Sequence, residues 1–173
     1  MSQHKAASVF DHLEQLGGGA AFAERICSMM ERTDMFADLA RPDIEQIAPY
    51  ISVYAAKTGT RVMVEDDRES YMFILVRGRL QIVKRDEDNT DKKLAIVREG
   101  KSIGEMSVID GMHHSATAVA LEPSELLLLT KHNFDMLVER NPEVGVVMMR
   151  KIAGLMSLRL RRTSGVLVDF LND

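Results

Sequence analysis

The sequence predicts a mainly β domain, an antiparallel β-roll or jelly roll, with N-terminal helices and a long C-terminal helix. Between Tyr50 and Thr130, seven short segments rich in β-branched residues are separated by turn signals such as Arg77-Gly78 and Glu122-Pro123. Before and after this region, the apolar residues recur at helical spacing. Many short strands with regular turns are typical of a sandwich or roll and not of a parallel sheet.

Composition is that of a single globular domain. The chain has 173 residues, which is long enough for one core and an appendage. Its net charge of −4 gives no general affinity for nucleic acid. A single cysteine, Cys27, excludes an internal disulfide, and its apolar helical setting favours a packed residue over a nucleophile. No apolar run reaches the ~18 residues of a membrane span, and no signal peptide is recognisable, so we expect a cytoplasmic protein.

Residues 1–48 are predicted to be a helical segment. A first helix is expected over residues 6–16, interrupted by a hinge at residues 17–19, where three glycines would weaken a helix. A second helix is expected from Ala20 to Met30, and Pro42 suits the first turn of a third.

Residues 49–130 are predicted to form the β-roll. Its charged tip at residues 86–91 lacks the glycine and the terminal glutamate of an EF-hand, so we interpret it as a solvated hairpin and predict no metal site. The predicted strands are Ile51–Ala55, Thr60–Val64, Tyr71–Val76, Arg79–Lys84, Lys93–Val97, Ser115–Ala120 and Glu125–Leu129.

Residues 100–119, with the sequence GKSIGEMSVIDGMHHSATAV, are chemically the most informative stretch. A glycine turn that leads into a short helical piece offers free backbone N–H groups, which favour an anion. Glu105 would repel an anion but would accept hydrogen bonds from sugar hydroxyls. The combination indicates a cradle for a sugar phosphate.

This stretch resembles the phosphate-binding cassette of cyclic-nucleotide-binding domains. The resemblance rests on Gly104-Glu105-Met106-Ser107-Val108, followed after a short gap by Ser115-Ala116-Thr117-Ala118-Val119. Gly59, the run Tyr71–Val76, Gly78 and Gly100 also fall where that family, which includes catabolite-activator-type regulators, places its strands and turns. The resemblance covers roughly residues 31 to 140.

The resemblance implies a non-enzymatic sensor that binds cAMP or cGMP and has no catalytic residue, metal or cofactor. Glu105 would meet the ribose, and Ser115 would donate to the phosphate. The implied ligand-binding residues are Ile103, Gly104, Glu105, Met106, Ser107, His114, Ser115 and Ala116.

Two departures from the family pattern concern the ligand. The family usually has an arginine that pairs with the cyclic phosphate, but this sequence has His114 there. We interpret His114 as exposed and mostly neutral at pH 7, so that binding is weakened by about 1 to 2 kcal/mol and tightens as the pH falls from 8 to 6. Residues 65–67, Glu-Asp-Asp, stand where the family tends to have a glycine turn.

Two alternatives to a nucleotide sensor remain at this point. A degenerate pocket in a ligand-independent protein-interaction module would explain the missing arginine. A cupin-type metal enzyme is disfavoured, because the adjacent His113 and His114 would point to opposite faces of a strand.

Residues 131–173 are predicted to be helical and to include a dimerisation helix. One stripe has alternating spacings of four and three, which is typical of a coiled-coil seam, and we expect it to pair two copies in a homodimer. The alternative is a single broad face packed on the roll. The seam is Met149, Ala153, Met156, Leu160, Thr163, Leu167 and Phe170, and the second stripe is Met148, Ile152 and Leu155.

Arginines cluster late on the same helix. They form either a solvated basic face or, as the resemblance implies, a cap over the ligand's base, with Arg159, Arg162 and Thr163 as candidates. Because the sequence ends at Asp173, we expect no helix-turn-helix domain, so an output would pass through dimerisation or an unknown protein partner.

Overall fold

The computed structural model describes residues 8–171, with side chains described up to residue 166. The described residues form nine strands, five α-helices and three short 3-10 helices. The strands are β1 (Glu14–Gly18), β2 (Ser52–Ala56), β3 (Arg61–Met63), β4 (Tyr71–Arg77), β5 (Arg79–Arg85), β6 (Asp91–Arg98), β7 (Ser102–Ile103), β8 (Thr117–Ala120) and β9 (Ser124–Thr130). The helices are α1 (Ala23–Met30), α2 (Arg41–Ile47), α3 (Glu105–Asp110), α4 (Lys131–Arg140) and α5 (Pro142–Leu171), and the 3-10 helices are Val9–His12, Ala20–Phe22 and Ala48–Tyr50.

Two antiparallel sheets face each other, as the turn-separated strands predict. One has the order β1-β2-β9-β4-β7 and the other the order β3-β8-β5-β6. Strands β4 and β9 are buried on both faces, which explains their nearly continuous apolar sequences. Tyr71, Phe73 and Leu75 of β4 point between the sheets, whereas Met72 and Ile74 point to the helices.

The core therefore has two parts. One lies between the sheets and includes Leu80, Ala118 and Leu126. The other lies between the five-stranded sheet and helices from both ends of the chain, and it includes Ile26 of α1 and Ile152 of α5. The helices thus complete the core of the roll and are not appendages to it.

Of the helix predicted over residues 6–16, residues 6 and 7 lie outside the described residues and only Val9–His12 is helical, as a short 3-10 helix, while the glycine hinge after it is wrong. Residues 14–18 form strand β1, which pairs antiparallel with β2 and places Gln15 opposite Tyr54. A register shift between Gln15 and Gly17 leaves Leu16 without a directly opposite residue on β2, as in a β-bulge. The N-terminal segment is thus not wholly helical, because hydrogen bonding to the edge of β2 overrides a weak helical pattern.

The second predicted helix is confirmed in α1, whose apolar stripe Ile26, Met29 and Met30 is buried. Pro42 lies in the first turn of α2, as expected. All seven predicted strands are present with boundaries shifted by one to a few residues, and β1 and β7 are additional. Within the described residues, no helix is sufficiently long and apolar to cross a bilayer.

Helix α5 carries two different faces, as its two stripes predict. Met148 and Ile152 are fully buried against the roll, and Leu155 packs partly against the same core. On the seam face, Met149 is 40% exposed and Leu160 is 68% exposed, whereas Met156 is partly covered by the core. Leu167 and Phe170 lie outside the described side chains. One stripe therefore holds α5 on the roll, and most of the described seam faces solvent.

Candidate functional site

The candidate site is built around the start of α3. Gly104 precedes this helix with φ of 82°, a left-handed conformation that favours glycine. A Cβ at this position would lie 2.6 Å from both the Tyr71 carbonyl oxygen and Met63 Cε. Gly104 therefore allows the turn to pass directly beside β4, which fixes α3 against the roll.

A cavity of about 600 Å³ opens beside this turn. That volume is within the range of small-molecule sites. All eight residues predicted to bind the ligand line it, together with Arg159 and Arg162 of α5. Among the residues that the structure assigns to the cavity wall, Thr163 is absent, and its side chain is exposed. The predicted ligand-binding residues therefore lie on one cavity, and so do two of the three cap candidates.

Glu105 is the most deeply buried charged side chain of the site, with 1% exposure. Its Oε1 accepts a hydrogen bond from the Ser102 hydroxyl, and its Oε2 accepts one from Arg159 Nη1 at 2.7 Å. Arg159 also donates through Nη2 to the Ser102 carbonyl. A buried carboxylate requires such partners, and the guanidinium from α5 provides the compensating charge. Helix α5 is thus tied directly to the predicted sugar-binding residue.

His114 does not have the exposed position that we expected. Its side chain is 3% exposed and its ring lies 4.5 Å from that of Tyr71 in an edge-on arrangement. Burial lowers the pKa of His114, an effect that the carboxylate of Asp67 partly opposes and the neighbouring His113 reinforces. The imidazole is therefore neutral near pH 7. The expected tightening of binding between pH 8 and 6 through protonation of an exposed His114 loses its basis.

Burial of His114 predicts a pH-dependent loss of stability. Because its pKa is lower in the folded state, below about pH 6.5 the unfolded chain takes up a proton that the folded chain excludes. This destabilisation is absent above that pH and grows as the pH falls, by up to about 1.4 kcal/mol per pH unit. We expect His114→Leu to lose less stability than the unmutated protein between pH 7 and 5. Urea unfolding across this range measures the difference, and identical pH profiles would contradict the assignment.

The serines and the main chain around α3 hold the cassette in place. Ser107 is 2% exposed, and its hydroxyl donates to the Tyr71 carbonyl at 3.0 Å. The Ser115 carbonyl accepts a hydrogen bond from Lys84 at 2.6 Å, and Lys84 also pairs with Glu65 at 2.9 Å. Strand β8 begins at Thr117, so Ser115 lies before the strand and is not its first residue. The Ser115 side chain is exposed. The Ser107 hydroxyl therefore stabilises the fold, whereas the Ser115 hydroxyl is available to bind a ligand.

Residues 65–67 form a turn although they lack the glycine that the family tends to have there. Asp66 has φ of 64°, the left-handed conformation that a turn glycine would adopt. Its N–H donates to the His114 carbonyl at 2.9 Å. Aspartate tolerates this conformation better than most residues, so the turn is preserved without glycine.

Sequence reasoning missed several residues of the cavity wall. Ser102 was not predicted because a lone serine in a strand has no distinguishing pattern, and Met63 is 41 residues away from Gly104, which its Cε approaches. The exposed apolar residues of the rim are Leu94, Ile96, Met106 and Met112, of which only Met106 was predicted. Leu94 and Ile96 share one face of β6 by strand periodicity, a signal that was available but is also typical of a packed strand.

Among the described residues, neither a metal-ligating cluster nor another cavity offers a better candidate site. Among them, no cluster of three or more metal-ligating side chains occurs. Another cavity, of about 750 Å³, lies between the N-terminal 3-10 helix and the β8–β9 turn, and none of the predicted site residues lines it. The chemistry indicated by the sequence is therefore concentrated beside α3.

Comparisons with known proteins agree with this geometry. Residues 55–141, just over half of the chain, match the cyclic nucleotide-binding domain family. The structure is similar to a cyclic nucleotide-binding domain from Methylobacillus flagellatus, with a TM-score of 0.81 at 24% identity over 97% of this chain and 96% of that one. It is also similar to the catabolite activator protein of Thermus thermophilus, with a TM-score of 0.69 at 25% identity over 80% and 62%.

Curated relatives show the same region in longer proteins. The cyclic AMP receptor protein of Thermus thermophilus is 26% identical over 132 residues, which are 76% of this chain and 59% of that protein. A lysophospholipase of Cryptococcus neoformans is 34% identical over 102 residues, which are 57% of this chain and 6% of that enzyme. The chain thus spans less than two thirds of each of these relatives. The fold, the cassette and the family match together show that the chain belongs to the cyclic nucleotide-binding domain family.

Proposed function

We propose that this protein is a non-enzymatic sensor of a cyclic nucleotide such as cAMP or cGMP. The observation that carries the proposal is the convergence of all eight predicted contact residues on one cavity of about 600 Å³. The turn at Gly104 would receive the phosphate, and Glu105 would accept a hydrogen bond from a ribose hydroxyl. The exposed hydroxyl of Ser115 lies on the same wall and would donate to the phosphate.

The signal would leave the site through α5. This helix contacts the cavity through Arg159 and Arg162, and it exposes Met149 and Leu160 on its seam face. A ligand that repositions the helix would change how the seam meets a second copy or a protein partner. The output of the sensor is therefore proposed to be dimerisation or partner binding.

One observation favours a second candidate, a ligand-independent interaction module. Residues 104–116 contain no lysine or arginine, and His114 is buried with its Nε2 unpartnered among the described residues. Both Glu105 oxygens are already hydrogen-bonded within the protein. A pocket that satisfies its own carboxylate could hold the fold without a nucleotide.

Titration calorimetry distinguishes these two candidates. We expect the protein to bind cAMP or cGMP, with cyclic di-GMP as a larger comparison ligand. Glu105→Ala should weaken binding by about 1 to 3 kcal/mol, because the ribose loses a charge-assisted hydrogen bond. Circular dichroism and urea unfolding of the variant control for the loss of the Glu105–Arg159 pair. No heat of binding from the unmutated protein at millimolar nucleotide would favour the interaction module.

A further inference from the structure

An anionic ligand in the cavity beside α3 would require a compensating positive charge. The cassette does not supply one. Residues 104–116 contain neither lysine nor arginine, and burial keeps His114 neutral near pH 7. The permanent cations on the cavity wall are Lys101, Arg159 and Arg162, all outside this segment. Lys101 is already paired with Asp34 on the outer surface. An anion in the cavity would therefore meet arginines that belong to α5.

Arg159 is the better placed of the two arginines. Its guanidinium lies 2.7 Å from Glu105 Oε2 at the base of the cavity, while its side chain is still 48% exposed. The two hydrogen bonds to Glu105 and Ser102 use two of its five N–H donors. Glu105 likewise retains lone pairs, because a carboxylate can accept about four hydrogen bonds. The pair can therefore bind a ligand without first separating.

The spacing of α5 explains why Arg159 reaches this position. Met148, Ile152 and Leu155 form the stripe that packs on the roll. Arg159 and Arg162 continue the same stripe at spacings of four and three, at the point where the helix passes over the cavity. The stripe thus changes from apolar to basic where the surface beneath it changes from core to cavity.

We propose that Arg159 binds the anionic group of the ligand in place of a cassette arginine, and that the Glu105–Arg159 pair selects a sugar hydroxyl next to an anion. This inference rests on the proposed function. A hydroxyl donates to the carboxylate, and an adjacent phosphate oxygen accepts from the guanidinium, so the two neighbouring groups match two neighbouring ligand groups. The 2′-hydroxyl and the 3′-phosphoester of a cyclic nucleotide are such neighbours.

Three ligands test the contact with the phosphate and the contact with the sugar hydroxyl separately. Titration calorimetry would compare cAMP, adenosine, which lacks the phosphate, and 2′-deoxy-cAMP, which lacks the hydroxyl. We expect Arg159→Ala to weaken cAMP about tenfold to a hundredfold while changing adenosine affinity by no more than about twofold. Glu105→Gln should instead reduce the preference for cAMP over 2′-deoxy-cAMP.

A matched control is provided by Arg161, which is exposed and lies roughly 200° around the helix from Arg159. Arg161→Ala should leave all three affinities within about twofold. Unchanged or tighter cAMP binding by Arg159→Ala, equal losses for cAMP and adenosine, or a larger selective loss in Arg162→Ala would each overturn this assignment while leaving the sensor function intact. An absence of binding by the unmutated protein would overturn the assignment and the sensor function together.

Discussion

Replacing Leu160 with glutamate is expected to convert the proposed dimer into a monomer. Leu160 is 68% exposed and lies on the seam of α5, so a second copy would bury it next to its own symmetry mate. Burial of a leucine contributes about 1.5 to 3 kcal/mol, and the two-fold axis doubles this loss. The dissociation constant should rise by about two to four orders of magnitude. Sedimentation equilibrium at micromolar concentration measures the change.

Leu158 provides the control for the Leu160 substitution. It is 46% exposed but lies roughly 200° around the helix from Leu160, away from the seam. Leu158→Glu introduces the same charge into the same helix and should leave the dimer intact. Met156 is less suitable for this purpose, since it also packs against the core and its loss would affect folding. A monomeric unmutated protein at micromolar concentration would refute the pairing.

Gly104→Ala is expected to destabilise the fold strongly. The left-handed backbone alone costs alanine about 1 to 2 kcal/mol. The new Cβ would also lie 2.6 Å from the Tyr71 carbonyl oxygen, and relieving this overlap should cost about 1 to 3 kcal/mol more. Urea unfolding measures the total, and ligand affinity should fall with it because α3 must shift.

Gly59 separates the two contributions to the Gly104 effect. It has the same φ of 82°, but in the described structure no atom beyond its chain neighbours lies within 4 Å of the position of its Cβ. Gly59→Ala should therefore show only the backbone cost. Equal losses of stability in the two variants would show that the close approach to β4 is unimportant.

Local patterns predict much of this fold, and the errors have a common cause. The apolar runs of β4 and β9 and the stripe of α1 are strong signals, because burial on a whole face requires consecutive or periodic apolar residues. Strand β1 lacks such a signal. Its sequence, Glu-Gln-Leu-Gly-Gly, is extended because the edge of β2 offers hydrogen-bonding partners about 40 residues away.

In the site, too, some features follow from residues adjacent in sequence and others from residues far apart in sequence. The turn at Gly104 and the identity of Glu105 are visible in the sequence, because a local motif carries them. The burial of His114 depends on Tyr71, and the pairing of Glu105 depends on Arg159, 54 residues away. Neither contact can be recognised from the residues that are adjacent in sequence. The continuation of the Met148–Ile152–Leu155 stripe by Arg159 and Arg162 is a signal that distinguishes these two arginines from Arg161.

The pairing of β1 with β2 has a consequence for where this chain can be cut. A fragment limited to the family-matched residues 55–141 would divide β2, whose first residue is Ser52, and would remove its neighbour β1. It would also lose Val9 and Leu13, which belong to the core between the sheets, and Ile152, which belongs to the other core. The recognisable family segment is therefore smaller than the unit that folds. Truncations and fusions should preserve the chain from the N-terminal 3-10 helix through at least the first three turns of α5.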